Sequence, residues 1–153
     1  MSFFLNNIVS DKMFEDLLND KRILLVRFGY AEEKECQRID RMLSELNGMV
    51  CRYFAIAAYE TKDVADALRR KYKISEDTRH VLVFFSKRAP IYVSFCKRPN
   101  FQVSETIPGT DEMLSLLIMV HQGIFHNKKI INVYGTYFES KKYQSAQKEE
   151  FLT

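Results

Sequence analysis

The chain has 153 residues, 46% of them hydrophobic and 13% aromatic, with a formal net charge of +3. That is the length of one domain with ample material for a core, which excludes a disordered chain. No apolar run approaches the ~18 residues that a membrane span needs, and so small a surplus of cations excludes nucleic-acid binding by net charge alone. The surplus falls in residues 77–153, the first half being balanced. The start, Met1 to Asn7, lacks the basic region of a secretory leader, so an intracellular, soluble protein is expected. Cys36, Cys51 and Cys96 are far apart with no Cys-x-x-Cys, which fits a reducing compartment better than a disulfide framework.

Ser10 is placed to cap a first helix with Met13, Phe14, Leu17 and Leu18 on its apolar face, ended by Asn19-Asp20. Ile23 to Val26 are continuously apolar and Phe28 closes the run before Gly29, which reads as a strand covered on both faces. Cys36, Ile39, Met42, Leu43 and Leu46 then form one stripe of a helix, with Glu32, Glu33 and Glu35 at its positive end. Asn47-Gly48 is expected to close it, Gly48 as a left-handed cap. Met49 to Ala58 reads as a second strand, apolar except for Arg52. A helix starting at Thr61 or Asp63 has Val64, Ala67, Leu68 and Tyr72 on one side and Arg69, Arg70 and Lys71 at its end.

Val81 to Phe85 reads as a third strand. Ser86 to Ala89 is too short for a crossover, so Pro90 to Cys96 is expected to return as its antiparallel neighbour, with Pro90 at a sheet edge. After a loop from Lys97 to Pro108, a helix is expected over Asp111 to His121, ended by Gly123. One further apolar run, Lys129 to Tyr134, precedes a polar tail. Right-handed crossovers make the first three strands parallel, and the hairpin adds an antiparallel edge. The result is an α/β, thioredoxin-like fold: a central mixed four-stranded sheet flanked by helices, with a C-terminal extension. Residues 1–138 are expected as the domain with its extension, and 139–153 as a flexible polar tail.

Val26-Arg-Phe-Gly29, a lone cysteine seven residues on and then Asp40 resemble the thioredoxin-like U5 small nuclear ribonucleoprotein family of the spliceosome. Val83-Phe-Phe85 with its basic turn resembles that family's third strand. Met119-Val-His-Gln-Gly123, Lys128 to Tyr134 and Tyr137 resemble its last helix and C-terminal extension. The likeness runs from about Met1 to Tyr143. It departs before the cysteine, where Glu32-Glu-Lys-Glu35 replaces an aromatic–Asp–Pro stretch. Met1-Ser-Phe-Phe-Leu5 is also similar to a splicing-linked paralogue that self-associates.

Alignment on the thioredoxin site puts Cys36 at the second cysteine position, Glu33 at the first, and Arg79 then His80 where a cis-proline is needed. A carboxylate cannot attack a disulfide usefully, so Glu33, Cys36 and Arg79 are redox-position remnants not expected to be active. Two readings of Cys36 stand: a thiolate sensor stabilised by Arg79 or His80, or a small apolar residue at a helix start. The second is preferred, since nothing supplies a resolving thiol. Cys51 and Cys96, in predicted strands, are expected near the core. His80, His121 and His126 lack metal-ligand spacing, and His121 is expected to face a helix-end dipole. No glycine-rich phosphate loop exists, so no cofactor, metal or catalytic residue is expected.

The remaining candidates are surface. Lys87, Arg88, Lys97, Arg98, Lys128 and Lys129, with Tyr92, Phe95 and Phe101 nearby, are either RNA or acidic-partner contacts or a solvated rim. The extension, with Tyr134, Tyr137 and Phe138, is too apolar for a free tail. It is expected to pack back over part of the groove that thioredoxins use, or to dock on a partner. The resemblance implies a nuclear, non-enzymatic spliceosomal adaptor of the U5 and tri-snRNP particles. Its partners would be large scaffold proteins and tri-snRNP proteins near 5′ splice-site RNA before activation, the chain being monomeric outside the complex. The alternative is a monothiol or redox-sensing oxidoreductase centred on Cys36.

Overall fold

The computed structural model describes residues 6–96 and 98–133. Strand β1 (Asn6–Ile8) leads to helix α1 (Asp11–Leu18), whose Ser10 hydroxyl accepts from the Met13 amide at 3.2 Å. Strand β2 (Ile23–Gly29) is buried along its whole length. Helix α2 (Lys34–Val50), strand β3 (Phe54–Glu60), a 3₁₀ turn at Thr61–Asp63 and helix α3 (Asp66–Tyr72) follow. Then come β4 (His80–Ser86), β5 (Ala89–Pro90), β6 (Tyr92–Ser94), helix α4 (Thr110–Phe125) and β7 (Ile130–Asn132).

The main sheet has five strands in the order β1-β3-β2-β4-β5. Side chains alternate across it. Ile23, Leu25, Ile56, Leu82 and Phe84 face Leu43, Leu46 and Leu117 of α2 and α4. Leu24, Val26, Phe28, Val83 and Phe85 face Phe14 of α1 and Tyr72 of α3. Burial of each Leu or Phe contributes about 1.5–3 kcal/mol, which is why this strand set sits at the centre. The thioredoxin-like fold is as expected, but several of its parts differ from the reading above.

The sheet gains β1, which the sequence hides because Asn6-Asn7-Ile8 carries one apolar side chain. β3 is parallel to β2, whereas β4 is antiparallel to it, with Leu24 opposite Phe85. The expected third parallel strand is therefore wrong. Helix α3 has only seven residues, spanning about 10 Å, while β3 spans about 23 Å. The chain does not return to the far end of the sheet, and β4 starts beside Gly29.

Helix α2 passes through Gly48 without a left-handed turn, because Leu43, Leu46 and Val50 continue the buried stripe. β3 accordingly begins at Phe54 rather than Met49. Cys51, at the end of α2, is exposed, as is Cys96, which takes φ 59° in a loop. Neither is a core filler. Helix α4 likewise runs through Gly123 to Phe125. A Cβ on Gly123 would stand 2.0 Å from Cδ1 of Ile131, so this glycine makes room for β7 rather than stopping a helix. His121 is therefore inside α4, not at its end.

Lys87 and Arg88 form the β4–β5 turn at φ 51° and 71°, the left-handed pair that a two-residue hairpin demands. The expected long return strand breaks at Ile91. β6 leaves the main sheet and pairs in parallel with β7, Val93 opposite Ile131. Ile131 and Val133 are buried, and the Val133 amide donates to the Ser94 carbonyl at 2.7 Å. This described part of the extension lies on β6 and α4. The boundary expected at residue 138 lies outside the described residues.

Candidate functional site

β2 and β3 end, and β4 begins, at one pole of the sheet, where Gly29 pairs with His80 and with Glu60. Gly29 has φ 151°. A Cβ there would be 2.3 Å from the Arg79 carbonyl oxygen and 2.7 Å from Cys36 Sγ. Backbone and thiol close over this glycine because nothing larger fits. The Cys36 side chain, one turn into α2, is fully buried, and its thiol donates to the Arg79 carbonyl oxygen at 3.1 Å. Outside them, Arg79 Nη1 meets Glu33 Oε1 at 2.7 Å.

The structure thus brings Glu33, Cys36 and Arg79 together, with His80 half-buried beside them. No cis peptide bond occurs among the described residues. Burial pushes the Cys36 thiol above its usual pKa, and the Arg27 charge only partly offsets it. A thiol that is buried, protonated and already donating is a poor nucleophile.

Behind Cys36 lies a charged network that the reading above missed. Arg27, 1% exposed, points from the middle of β2 onto Asp40 of α2. Its Nε and Nη2 donate to the two Asp40 oxygens at 2.9 and 2.6 Å, and Nη1 donates to Glu60 Oε2 at 3.0 Å. The other Glu60 oxygen accepts the Ala31 amide at 2.7 Å. Burial alone would lower the guanidinium pKa, but the Asp40 hydrogen bonds and charge outweigh it and hold it above the ordinary value. The signal was present: one arginine in an otherwise apolar buried strand requires a buried carboxylate. Asp40, next to Ile39 on the stripe of α2, supplies it.

The same pole holds a shallow open cleft of about 450 Å³ between Tyr30, Lys62, Glu76 and Arg79. Its lining mixes both charge signs and holds no thiol, so it offers shape and hydrogen bonds rather than thiol exchange. Among the described residues, no three His, Cys, Asp or Glu side chains cluster as metal ligands, and no helix is long and apolar enough to cross a membrane.

The basic candidates lie elsewhere. Arg88 pairs with Glu15 of α1 and with Asn19, which caps that helix, so its charge is partly met within the domain. Lys87, Arg98, Lys128 and Lys129 are exposed. Parallel pairing of β6 with β7 sets Lys128 and Lys129 before one end of that ribbon and Arg98 beyond the other. Phe101 is buried against Tyr72 and Tyr92 and Phe95 is half-buried, so neither is a free stacking platform. Lys97, Tyr134 and Tyr137 lie outside the described residues.

Comparison with known proteins points one way. The family model described as Mitosis protein DIM1 matches residues 5–137. The spliceosomal protein DIB1 of Eremothecium gossypii is 22% identical over 73% of this chain and 76% of its own length. The spliceosomal protein DIB1 of Candida glabrata is 24% identical over 73% and 77%. Among solved structures, the thioredoxin of Malassezia sympodialis superposes with TM-score 0.50 at 10% identity, covering 67% of this chain and 83% of that one. That last likeness concerns the fold alone.

Proposed function

This chain belongs to the Mitosis protein DIM1 family, and from that premise we propose that it is a nuclear, non-enzymatic component of the pre-mRNA splicing machinery. Relatives carrying the name spliceosomal protein DIB1 support the splicing role. In this reading the domain is an adaptor of the U5 and tri-snRNP particles. It binds large scaffold and tri-snRNP proteins near the 5′ splice site before activation, and it acts by occupying its place until the machine is remodelled.

The observation that carries the non-enzymatic part is the closure of the Cys36 pocket. The thiol is buried against the Arg79 carbonyl, its pKa is pushed up, and a carboxylate, Glu33, stands where a second thiol would have to be. A monothiol oxidoreductase centred on Cys36 needs an accessible thiol of lowered pKa, and a dithiol one needs a second thiol as well. The test is a pull-down from nuclear extract with the tagged full chain, reading U5 RNA by quantitative reverse transcription. Enrichment over a tag-only control is expected. Recovery at the control level would sink the reading. In parallel, the chain should not reduce a disulfide substrate such as insulin in a Cys36-dependent way.

A further inference from the structure

The pole of the sheet opposite Cys36 is basic. β2 and β3 begin there and β4 ends there, and the flanking residues are Lys21 and Arg22, Arg52 and Tyr53, and Lys87 and Arg88. The registers that pair Ile23 with Phe54 and Leu24 with Phe85 set these three corners side by side. Direct contacts tie them together. Arg22 Nη1 donates to the Cys51 carbonyl at 2.7 Å, and the Ile23 amide donates to the Tyr53 carbonyl at 3.0 Å. Arg88 reaches Asn19, at the C-terminal end of α1.

All five cations are exposed, and two acids answer them: Asp20 pairs with Arg22 at 2.8 Å, and Glu15 with Arg88. Lys21, Arg52 and Lys87 have no acidic partner within ion-pair distance among the described residues. At the Cys36 pole, by contrast, the charges are mixed: Glu32, Glu76 and Asp77 stand beside Lys62, Arg69 and Arg79, and Arg79 pairs with Glu33. The small net charge of the whole chain therefore conceals a molecule with one basic end, and the exclusion drawn from the total does not apply to that end.

We propose that this basic pole contacts the phosphate backbone of single-stranded RNA. Adjacent strands are about 4.8 Å apart, so Arg52, Lys21 and Lys87 form a short fixed row across three strand ends rather than charges on a loose tail. An aromatic ring stands within the row. Tyr53 is half-buried, with the Arg52 guanidinium over its ring at 5.8 Å and His121 against it at 4.6 Å, so it holds Arg52 in place rather than offering a free stacking face. Cations held in a row on a rigid edge can track a phosphate backbone without reading its sequence. The choice of RNA over an acidic protein rests on the splicing reading above, which sets the chain in a ribonucleoprotein.

The experiment uses the full chain and a fluorescein-labelled, mixed-sequence single-stranded RNA, with anisotropy read across a salt series. The variant combines Lys21→Glu, Arg52→Glu and Lys87→Glu, and Lys12→Glu, at an exposed position at the start of α1, is the control. Circular dichroism melting checks each fold. The triple variant should bind at least about tenfold more weakly at low salt, with a salt slope shallower by about 2, at roughly 0.7 per lost phosphate contact. The control should bind as the parent does. If the triple variant fails to fold, Lys21→Glu and Lys87→Glu singly should each weaken binding about threefold. Unchanged affinity in folded variants overturns the proposal, as does poly-glutamate binding as tightly as the RNA. The U5 RNA pull-down separates the two claims. If the parent chain still captures U5 RNA while the variants bind RNA normally, only the basic-pole contact falls; if it captures none, the splicing reading falls.

Discussion

The thiol of Cys36 donates to the backbone carbonyl of Arg79 at 3.1 Å, while the Arg79 side chain pairs with Glu33 above it. One residue thus closes the pocket twice, with its main chain and with its charge. In native protein at pH 7.5, Cys51 and Cys96 should react with iodoacetamide first, because they are exposed. Cys36 should react only on unfolding, since burial raises its pKa and so keeps the thiolate fraction low until the solution is well alkaline. Mass spectrometry of the modified peptides checks this, and equal rates for the three thiols would refute it.

Removal of one partner of the Arg27–Asp40 pair should cost far more than removal of both. Asp40→Ala leaves a buried guanidinium with one remaining carboxylate, Glu60, and should lower stability by about 3–5 kcal/mol. The double variant Arg27→Met, Asp40→Leu should recover part of that loss. Urea unfolding of the four members of the cycle measures the coupling, and additive losses would contradict the network.

His121 supplies a pH dependence with a definite sign. Burial lowers its folded pKa below the unfolded value, so the unfolded chain binds more protons below about pH 6.5. Its contribution to stability is present above the unfolded pKa and is lost as pH falls. The melting temperature should drop between pH 7.5 and 5.5, and His121→Gln should reduce that drop. An equal drop in the variant would assign the effect to other groups.

A chain ended after Lys128 loses β7 and with it the buried Ile131 and Val133. Two such side chains contribute about 3–6 kcal/mol, so melting should occur roughly 6–24 °C lower. Ile131→Ala in the full chain should show about 2–5 kcal/mol of loss by urea unfolding. An unchanged melting curve for the shortened chain would mean that the extension adds nothing to the fold.

Long apolar runs made the centre of this fold readable: Ile23 to Phe28 and Val81 to Phe85 are buried strands as their composition predicts. What was hidden involves short segments and relations between distant residues. β1 has too few apolar side chains to signal a strand. Gly48 and Gly123 looked like helix ends, but a glycine within a helix and one after it have the same local sequence; Gly48 is carried by the buried stripe that runs on to Val50, and Gly123 by Ile131 packing on it. Glu33, Cys36 and Arg79 were placed by resemblance, and the structure adds what no spacing contains: which atom of Arg79 meets which partner. Arg27 is legible from its isolation in an apolar strand, but its partner Asp40 is set by how α2 packs on β2, a relation that no local spacing contains. The basic pole was only half visible, since Lys87 and Arg88 join Lys21, Arg22 and Arg52 through strand register rather than through sequence.

The margins of the main sheet limit how another protein can take hold of it. On one side β1 offers three residues, two of them asparagines. On the other, Pro90 has no amide to give and Val103 already pairs with Leu82 farther along β4. Among the described residues, neither side presents the long open ladder that an incoming strand would extend. A recruiting protein must therefore recognise this domain by its side chains, and substitutions at surface positions, rather than backbone competition by peptides, are what should release it.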